Sequence, residues 1–499
     1  MSTFRLAALV WAVIICLYVI IGFPYIVSKY FNHPETNLVK PTRKGKIRDT
    51  VLRNCTVLVR KKYVFDSHPR FPHGHQGFPS PQLNLRLLTK EQVEIKDSPK
   101  ITSRREKVIK SLYGFNGERS WLKHVNSLDD DNLAPLTKFA QNVIYQHQNP
   151  HPSRCKGKRF LVVTHFENAG IGALTHFIGS ALGRAIDYNR ILMWDIRTNS
   201  RTTGWHYFDA GCAGNSRHDT LDCLYEPLTS CSYEHSNENN TVYTNGWDDG
   251  TDKDEPWHKF SAPSLFTQAL LQYSAVPITP TAIKYWWRGQ ATAYILRLNE
   301  LSLSKIRALR LDPLLHTGFT VDKSSKLLQN IPVPFPMPAH SFNIHVRHGD
   351  KGKEMRLIPF RQYVEEAEWF AKQNPNSYHK LAFLSSEDPS IFDEAKQITS
   401  VTFDYGLTSP NENWIWYMSK IKRLNTGPVQ QLRVFQSRSD ATLSWLLQLF
   451  MALECDGFVG TLNSNWNRII DELRCIWTDK CMQPYLEVGD VVDWANYHW

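Results

Sequence analysis

The chain has 499 residues, which is too many for one ordinary hydrophobic core, so two packed domains are expected. Its 42% hydrophobic and 21% charged residues are normal for a globular protein. The net charge of +10 fits an anionic ligand or an anionic membrane surface. The basic residues are scattered and form no helix-turn-helix or zinc-finger pattern, which argues against a nucleic-acid-binding protein.

An apolar segment lies at the N-terminus. Residues 6–27 carry no charged side chain, and the run is long enough to cross a bilayer as a helix. Because the run ends in Phe23, Pro24 and Tyr25 rather than in small residues, we predict an uncleaved signal anchor over 6–28, with residues 1–5 as a cytoplasmic tail. Basic residues follow the anchor and favour the opposite orientation, but long domains are translocated largely regardless of such charges.

The cysteines and glycosylation sequons support a lumenal body. Cys16 lies in the predicted anchor, and no CxxC-type pair indicates a zinc site. Two sequons begin at Asn54 and Asn239. The other eight cysteines form an even set suited to disulfides, with the pairing left open: Cys55, Cys155, Cys212, Cys223, Cys231, Cys455, Cys475 and Cys481. Together with the anchor, these features predict a type II membrane protein.

The first half of the chain predicts a stem followed by an α/β domain. Residues 29–150 have the composition of a stem with helical material, and 151–335 form the first domain. Its clearest part is a βαβ unit: a strand over 159–164, a glycine turn, a helix over 173–186 and a strand over 190–195. In the turn, Gly170 and Gly172 either permit close packing of the helix or line a ligand cleft. Residues 196–256 are predicted to form a long excursion tied by disulfides.

A helix with aromatic and apolar residues on one side is predicted from Tyr285, and another over 303–311. Prolines at 332, 334, 336 and 338 then mark a domain boundary, because proline fixes φ and removes a hydrogen-bond donor. Residues 340–499 form the second α/β domain. Its predicted strands are 342–346, 380–385 and 456–461, and its predicted helices are 360–373, 389–399, 442–454 and 466–473. Two Rossmann-like halves predict a GT-B architecture, with the ligand in the cleft between the lobes.

Two segments of the second domain are candidates for binding a diphosphate. At the end of the strand over 342–346, Arg347 can donate two N–H groups to a phosphate and Lys351 can add a point charge. The alternative interpretation is a solvated charged turn. Near Ser464, a turn leads into a helix whose N-terminal N–H groups and dipole can hold an anion. The alternative there is simple N-capping by Asn or Ser.

Five segments follow one another along residues 155–499. They are Tyr285-Trp-Trp-Arg-Gly-Gln290, His345-Val-Arg-His-Gly-Asp-Lys351, Leu384-Ser-Ser-Glu-Asp-Pro389, Gly460-Thr-Leu-Asn-Ser-Asn-Trp-Asn-Arg468, and the C-terminal Tyr485-Leu-Glu-Val-Gly-Asp with Asn496-Tyr-His-Trp499. In this order they resemble motifs of the α1,6-fucosyltransferase family, which includes the N-glycan core enzymes and the bacterial chitooligosaccharide fucosyltransferases. The protein O-fucosyltransferases are more distantly similar.

The resemblance implies a Golgi type II enzyme that transfers fucose from GDP-fucose to a glycan or glycoprotein with inversion, without a metal or other cofactor. It assigns the donor diphosphate to Arg347, supported by Asp350 and Lys351, with His345 close by. It also implies donor contacts at Tyr363 and Ser464. Asn463, beside Ser464, and Gly170 and Gly172, in the glycine turn, are further candidate donor-binding residues. Glu354 matches the catalytic base after a one-residue gap, and a surface carboxylate is the alternative.

Two positions depart from the family pattern. The second arginine of the family motif is His348 here, and a family aspartate aligns with Gln448. Both are kept as candidate donor-binding residues. The departures leave open another donor sugar, a protein O-fucosyltransferase-like activity, or a pseudoenzyme that binds a glycan or nucleotide without turnover. The acceptor, the linkage and the oligomeric state also remain open.

Overall fold

The computed structural model describes most of the chain between residues 99 and 489. The described ranges are 99–115, 124–126, 128, 136–164, 169–195, 207–209, 221–245, 255–258, 260–273, 280–321, 328–375, 377–398, 413–424, 432, 435–481 and 483–489. The predicted tail, anchor and most of the stem, together with Cys16, Cys55 and the Asn54 sequon, lie outside them. Within these ranges, no helix has the length and apolar character needed to span a bilayer.

The described chain contains both helices and strands. The helices are α1 (Pro99–Leu112), α2 (Thr137–Gln148), α3 (Ile171–Asp187), α4 (Ser264–Tyr273), α5 (Pro280–Ile295), α6 (Glu300–Leu311), α7 (Phe360–Gln373), α8 (Ser390–Gln397), α9 (Arg438–Glu454) and α10 (Asn465–Ile476). The strands are β1 (Arg159–Val163), β2 (Arg190–Trp194), β3 (Thr241–Thr244), β4 (His316–Val321), β5 (Leu328–Ile331), β6 (Phe342–Val346), β7 (Leu381–Ser386), β8 (Ile415–Ser419), β9 (Gly457–Gly460) and β10 (Tyr485–Glu487). The predicted α/β class is confirmed.

The first sheet has three parallel strands in the order β2-β1-β3. β1 and β2 are apolar runs that bury almost every side chain, as expected for strands covered on both faces. β1, α3 and β2 reproduce the predicted βαβ unit. β3 lies inside the segment predicted as a long excursion tied by disulfides. It was not predicted as a strand, and this short polar run pairs with the other edge of β1.

The second sheet has seven strands in the order β10-β9-β6-β7-β8-β4-β5. β10, β9, β6, β7 and β8 run parallel, and β4 and β5 extend the sheet antiparallel beyond β8. From β6 the chain proceeds outward through β7 to β8, and then crosses to β9 on the other side of β6. The order therefore reverses between β6 and β9, and open α/β sheets bind ligands at such reversals.

The proline-rich segment does not separate the two sheets. β4 and β5 precede the prolines, yet both belong to the second sheet. A division of domains near residue 335 stays a prediction, but the sheet itself begins at His316. The prolines are held in place by a buried ion pair between Arg310 and Glu454, because Arg310 donates to the Pro334 carbonyl and Glu454 accepts the Met337 N–H at 2.7 Å.

Helix α5 was predicted to have one apolar side, but it is buried on all sides between Tyr285 and Ile295. It packs against α3 and α10 within one continuous hydrophobic core. Two of the polar groups it buries have hydrogen-bond partners on α10. The Tyr285 hydroxyl donates to Asp471 at 2.9 Å, and the Thr292 hydroxyl donates to Glu472 at 2.7 Å. The helix therefore joins the two halves of the chain.

The disulfide prediction is confirmed in part. Cys155 is bonded to Cys231, Cys475 is bonded to Cys481, and Cys223 is also disulfide-bonded. The prediction was wrong for Cys455, which is a free, buried thiol at the C-terminal end of α9. An even number of cysteines did not reveal this, because burial in a packed core and not the count decides whether a thiol meets a partner. Asn239, which begins the second sequon, is exposed.

Candidate active site

A cavity of about 510 Å³ lies where the two sheets present the carboxyl ends of their central strands. The N-terminal turn of α3, which follows β1, forms one wall. Segments after β6, β7 and β8 and the start of α10, after β9, form the other walls, together with part of α9. The lining side chains with polar or aromatic groups are His345, Arg347, Asp350, Lys351, Glu354, Ser385, Ser386, Glu387, Arg423, Trp445, Gln448, Ser464, Asn465 and Trp466.

Arg347 follows directly after β6 and faces this cavity, with its side chain 15% exposed. Two carboxylates hold its guanidinium. Nη2 donates to Asp350 at 2.8 Å, and Nη1 donates to Glu387 and to the His348 carbonyl. The arginine is thus ion-paired and still lines the cleft. A phosphate that binds it must share it with these carboxylates or displace one of them.

A short 3₁₀ turn, Gly349–Lys353, carries the next two candidates. Gly349 has a φ of 62°, a left-handed conformation that favours glycine, and it allows the chain to reverse immediately after the strand. Lys351 is 13% exposed and forms an ion pair with Glu354, whose side chain is 61% exposed. Glu354 therefore stands at the mouth of the cavity, where a carboxylate can meet an incoming hydroxyl group.

Two helix N-termini also form part of the cavity wall. Gly170 caps α3, and residues 169–173 line the cavity. Ser464 caps α10, and its hydroxyl accepts the Asn467 N–H. Both interpretations offered for Ser464 therefore hold geometrically, since it caps the helix and lines the cavity. The first N–H groups of a helix lack intrahelical acceptors and carry the positive end of the dipole, so both ends favour an anion.

Gly172 sits where α3 and α10 approach each other. A Cβ atom added to it would lie 2.9 Å from Asn465 Cβ. Asn465 is in turn held by polar contacts from two neighbours, one of which is itself held by an arginine. His176 Nδ1 lies 2.9 Å from its side-chain oxygen, Arg468 Nη1 donates to that oxygen at 3.2 Å, and Arg288 contacts His176. Both interpretations of Gly172 hold here as well, because the glycine permits close packing and lines the cleft.

His345, near the carboxyl end of β6, lines the cavity and is buried. Its Nδ1 lies 2.9 Å from the Ser385 hydroxyl, and its Nε2 has no hydrogen-bond partner among the residues that the structure describes. Burial, together with the charges of Arg347 and Arg423, lowers the pKa of His345 to about 3. The imidazole is therefore neutral at physiological pH. It can donate one hydrogen bond to a ligand, but it brings no charge.

The sequence analysis did not single out Arg423, Glu387, Trp445 or Trp466 as site residues. Arg423 follows β8, and its Nη2 donates to Gln448 at 3.0 Å. The two indole rings lie on α9 and α10 and offer flat surfaces on which a base or a sugar can stack. The available signal for Arg423 was its position shortly after the carboxyl end of a strand, but β8 was not among the predicted strands.

Three predicted site residues do not line the cavity. The His348 ring contacts Asp388 at 3.2 Å and the Ile358 carbonyl at 2.8 Å, both behind the turn. Tyr363 is fully buried in the core of α7, and burial raises the pKa of its hydroxyl. Asn463 precedes the helix cap, and its N–H donates to the Thr461 hydroxyl at 3.3 Å. Donor contacts by these three residues stay predictions. Over the described ranges, no cluster of three or more potential metal ligands occurs.

No protein-family profile matches the chain, and no curated protein matches it. The chain is similar to several solved structures, three of which are described here. NodZ α-1,6-fucosyltransferase soaked with GDP-fucose aligns with 63% of this chain and 92% of its own, at 13% identity and a TM-score of 0.31. The fucosyltransferase NodZ from Bradyrhizobium aligns with 63% and 92%, at 12% identity and a TM-score of 0.28.

A mutant of FUT1 from Arabidopsis thaliana in complex with GDP aligns with 76% of this chain and 79% of its own, at 13% identity and a TM-score of 0.31. The first two structures are both of NodZ, a fucosyltransferase. At such low identity and TM-score, the likenesses do not assign this chain to a family. Its function is therefore inferred from its own residues.

Proposed function

We propose that this protein is an inverting glycosyltransferase of GT-B architecture that transfers fucose from GDP-fucose to a glycan. One observation carries the proposal. Two helix N-termini and the cations Arg347, Lys351 and Arg423 line a single cavity at the point where the strand order reverses. That arrangement suits a diphosphate. The ordered motifs that resemble α1,6-fucosyltransferases supply the identity of the sugar nucleotide.

Fucose transfer requires two functions of the site: stabilisation of the leaving diphosphate and removal of a proton from the acceptor hydroxyl. The acceptor hydroxyl oxygen bonds to the anomeric carbon of fucose from the face opposite the diphosphate. The bond from that carbon to the β-phosphate oxygen breaks, its electron pair leaves with GDP, and the hydroxyl proton passes to a base. Cations fixed beside the leaving phosphate stabilise the developing negative charge. A carboxylate at the acceptor face takes the proton.

The chain provides candidates for both roles. Arg347 and Lys351 lie deep enough to meet the diphosphate, and Glu354 lies at the open mouth, where the acceptor enters. Lys351 pairs with Glu354 and so orients that carboxylate. Trp445 and Trp466 provide stacking surfaces for the guanine or a sugar ring. No step in this scheme requires a metal.

The decisive experiment is a transfer assay with the purified full chain in detergent. GDP release is measured with GDP-fucose, GDP-mannose and UDP-sugars, in the presence of a mixed glycan array and of unglycosylated acceptor proteins, with and without a chelator. We expect GDP release only with GDP-fucose and a glycan, unaffected by the chelator. Transfer to an unglycosylated protein would instead support the O-fucosyltransferase-like alternative, and GDP binding without transfer would support the pseudoenzyme.

We also propose a Golgi type II location, because an apolar segment near the N-terminus precedes a body with disulfides and an exposed sequon at Asn239. Immunofluorescence against a Golgi marker tests the compartment. Endoglycosidase sensitivity that is lost on Asn239→Gln tests the orientation, because only a lumenal asparagine is glycosylated. An unglycosylated chain that is accessible to cytosolic protease would contradict this proposal.

A further inference from the structure

The three cations of the cavity are not equivalent. Arg347 is paired with Asp350 and Glu387, and Lys351 is paired with Glu354. Arg423 forms no ion pair within the ranges that the structure describes. Its hydrogen bonds go to neutral acceptors only: the Ile421 carbonyl at 2.7 Å, the Ser419 carbonyl at 2.9 Å and the Gln448 amide oxygen at 3.0 Å.

An unpaired guanidinium in this position is costly. The side chain is partly buried, its Nε is fully buried without a hydrogen-bond partner among the described residues, and the group lies over the Phe392 ring at 4.3 Å. A cation placed out of water without a counter-charge destabilises a protein unless a ligand compensates it. Burial lowers the pKa of Arg423 to about 10, which still leaves it charged at neutral pH.

The other charged residues of the cavity show how its positive charges are balanced. Counting Arg347, Lys351 and Arg423 against Asp350, Glu354 and Glu387, the cavity is neutral overall. Glu387 attracts Arg423 electrostatically, but its one hydrogen-bonded oxygen accepts from Arg347, and no ion pair joins it to Arg423 within the described ranges. Unlike Arg347 and Lys351, Arg423 therefore meets an entering anion without first breaking an ion pair among the described residues.

Gln448 keeps that charge available. It fixes the guanidinium from α9 through an uncharged amide oxygen. A carboxylate at this position would accept the same hydrogen bond and would neutralise the arginine. The glutamine and the arginine thus form a hydrogen-bonded unit in the cavity wall.

From these contacts we infer that Arg423, held by Gln448, is the second arginine that binds the diphosphate of the donor. The inference rests on the proposed function and names a binding residue for it. Arg423 should raise the affinity only for ligands that carry phosphate groups, because the guanidinium contacts the phosphates and not the base or the sugar. GDP and inorganic pyrophosphate will depend on it, and guanosine will not.

The test is calorimetric titration of the full chain with GDP, inorganic pyrophosphate and guanosine. We expect Arg423→Gln to weaken GDP and pyrophosphate by at least about tenfold, the loss of one charge-assisted contact. Gln448→Glu, which keeps the shape and adds a counter-charge, should weaken both ligands similarly. Lys422→Gln is the matched control, since Lys422 is exposed, adjacent and outside the cavity wall, and it should leave both affinities unchanged.

The outcomes separate the inference from the proposed function. Pyrophosphate binding without GDP binding by the unaltered chain, with both variants weakened, would support the anion site and overturn the sugar-nucleotide assignment. Unchanged GDP and pyrophosphate affinities in both variants would overturn the role of Arg423 and leave the transferase proposal standing. No binding of either ligand by the unaltered chain would overturn both. If Arg423→Gln does not fold, Gln448→Glu and Arg423→Lys carry the test.

Discussion

Gly172 and Asn465 bring the two halves of the cavity together, because a Cβ atom at position 172 would lie 2.9 Å from Asn465 Cβ and 3.0 Å from its carbonyl carbon. The N-termini of α3 and α10 therefore approach more closely than any other residue at position 172 would allow. Both helix ends point their free N–H groups toward the same space only while this contact is maintained. The proposed diphosphate site therefore depends on the absence of a side chain at position 172.

Gly172→Ala should thus force α3 away from α10. We expect it to cost about 1–3 kcal/mol of stability, as other overpacked core positions do, and to weaken GDP binding as well. The measurement is the denaturant midpoint followed by tryptophan fluorescence. Gly352→Ala is the control for the same change in volume, because its added Cβ would lie 3.5 Å from Leu357, at ordinary contact distance. Equal midpoints for the two variants would contradict the close-approach argument.

Arg347→Lys should weaken GDP binding by about tenfold or more. Lysine keeps the positive charge but lacks the planar fork that donates to Asp350 and Glu387 and that matches phosphate oxygens. Calorimetric titration measures the affinity. Arg361→Lys, on the exposed face of α7, is the control and should have no effect. An unchanged GDP affinity in Arg347→Lys would mean that the guanidinium only orders the loop.

Glu354→Gln should lower kcat by about 10²–10⁴ if this carboxylate accepts the proton of the acceptor. GDP affinity should stay the same or rise slightly, because the change frees Lys351 from its ion pair. Transfer rates and GDP titrations on the same preparation separate the two effects. Glu365→Gln, on α7 outside the cavity wall, serves as the control. A variant with normal turnover would make Glu354 a surface residue and leave the base unassigned.

His345 should make the protein less stable in mild acid. Burial, with the nearby arginines, lowers its folded-state pKa to about 3, whereas an unfolded histidine titrates near 6.5. Below pH ~6.5 the unfolded chain takes up a proton that the folded chain refuses, so stability is complete above that pH and falls as the pH decreases. Between pH ~6.5 and ~5, this amounts to about 2 kcal/mol.

The measurement compares unfolding free energies at these two pH values for the unaltered chain and for His345→Gln, which does not titrate. The loss on acidification should be smaller in the variant by about 2 kcal/mol. Other groups titrate equally in both chains and cancel. An identical loss would show that His345 is accessible to protons in the folded state.

Glu454 is the largest single stability determinant we expect outside the cavity. Its buried carboxylate accepts from Arg310 at 2.8 Å through both oxygens, from the Tyr113 hydroxyl at 2.6 Å and from the Met337 N–H at 2.7 Å. Glu454→Gln leaves Arg310 charged and buried, so about 3–5 kcal/mol should be lost. Glu300→Gln removes the exposed pair with Arg307 on the same helix, α6, and should cost less than about 1 kcal/mol. Similar unfolding midpoints would contradict this assignment.

Which site residues could be predicted from the sequence depended on whether the strand before them was predicted. β6 and the turn after it were predicted, so Arg347, Asp350, Lys351 and Glu354 were identified as candidates, and the structure brings all four to the cavity wall. Arg423 follows a strand that the sequence did not reveal. Tyr363 was named through the resemblance, but its side chain points into the core of its own lobe.

The sequence by itself determined the α/β class, most of the helices and strands around the site, and the cluster of charged residues after β6. These depend on local periodicity and on short runs of residue types, which a chain carries wherever it folds. Only the tertiary structure decided that β4 and β5 join the second sheet, that α3 meets α10 at a glycine, that Cys455 is a free buried thiol and that Arg423 faces the cavity with no ion pair to another described residue. Those features depend on which distant segments pack together, and packing is set by the shape and charge of surfaces that no local pattern records.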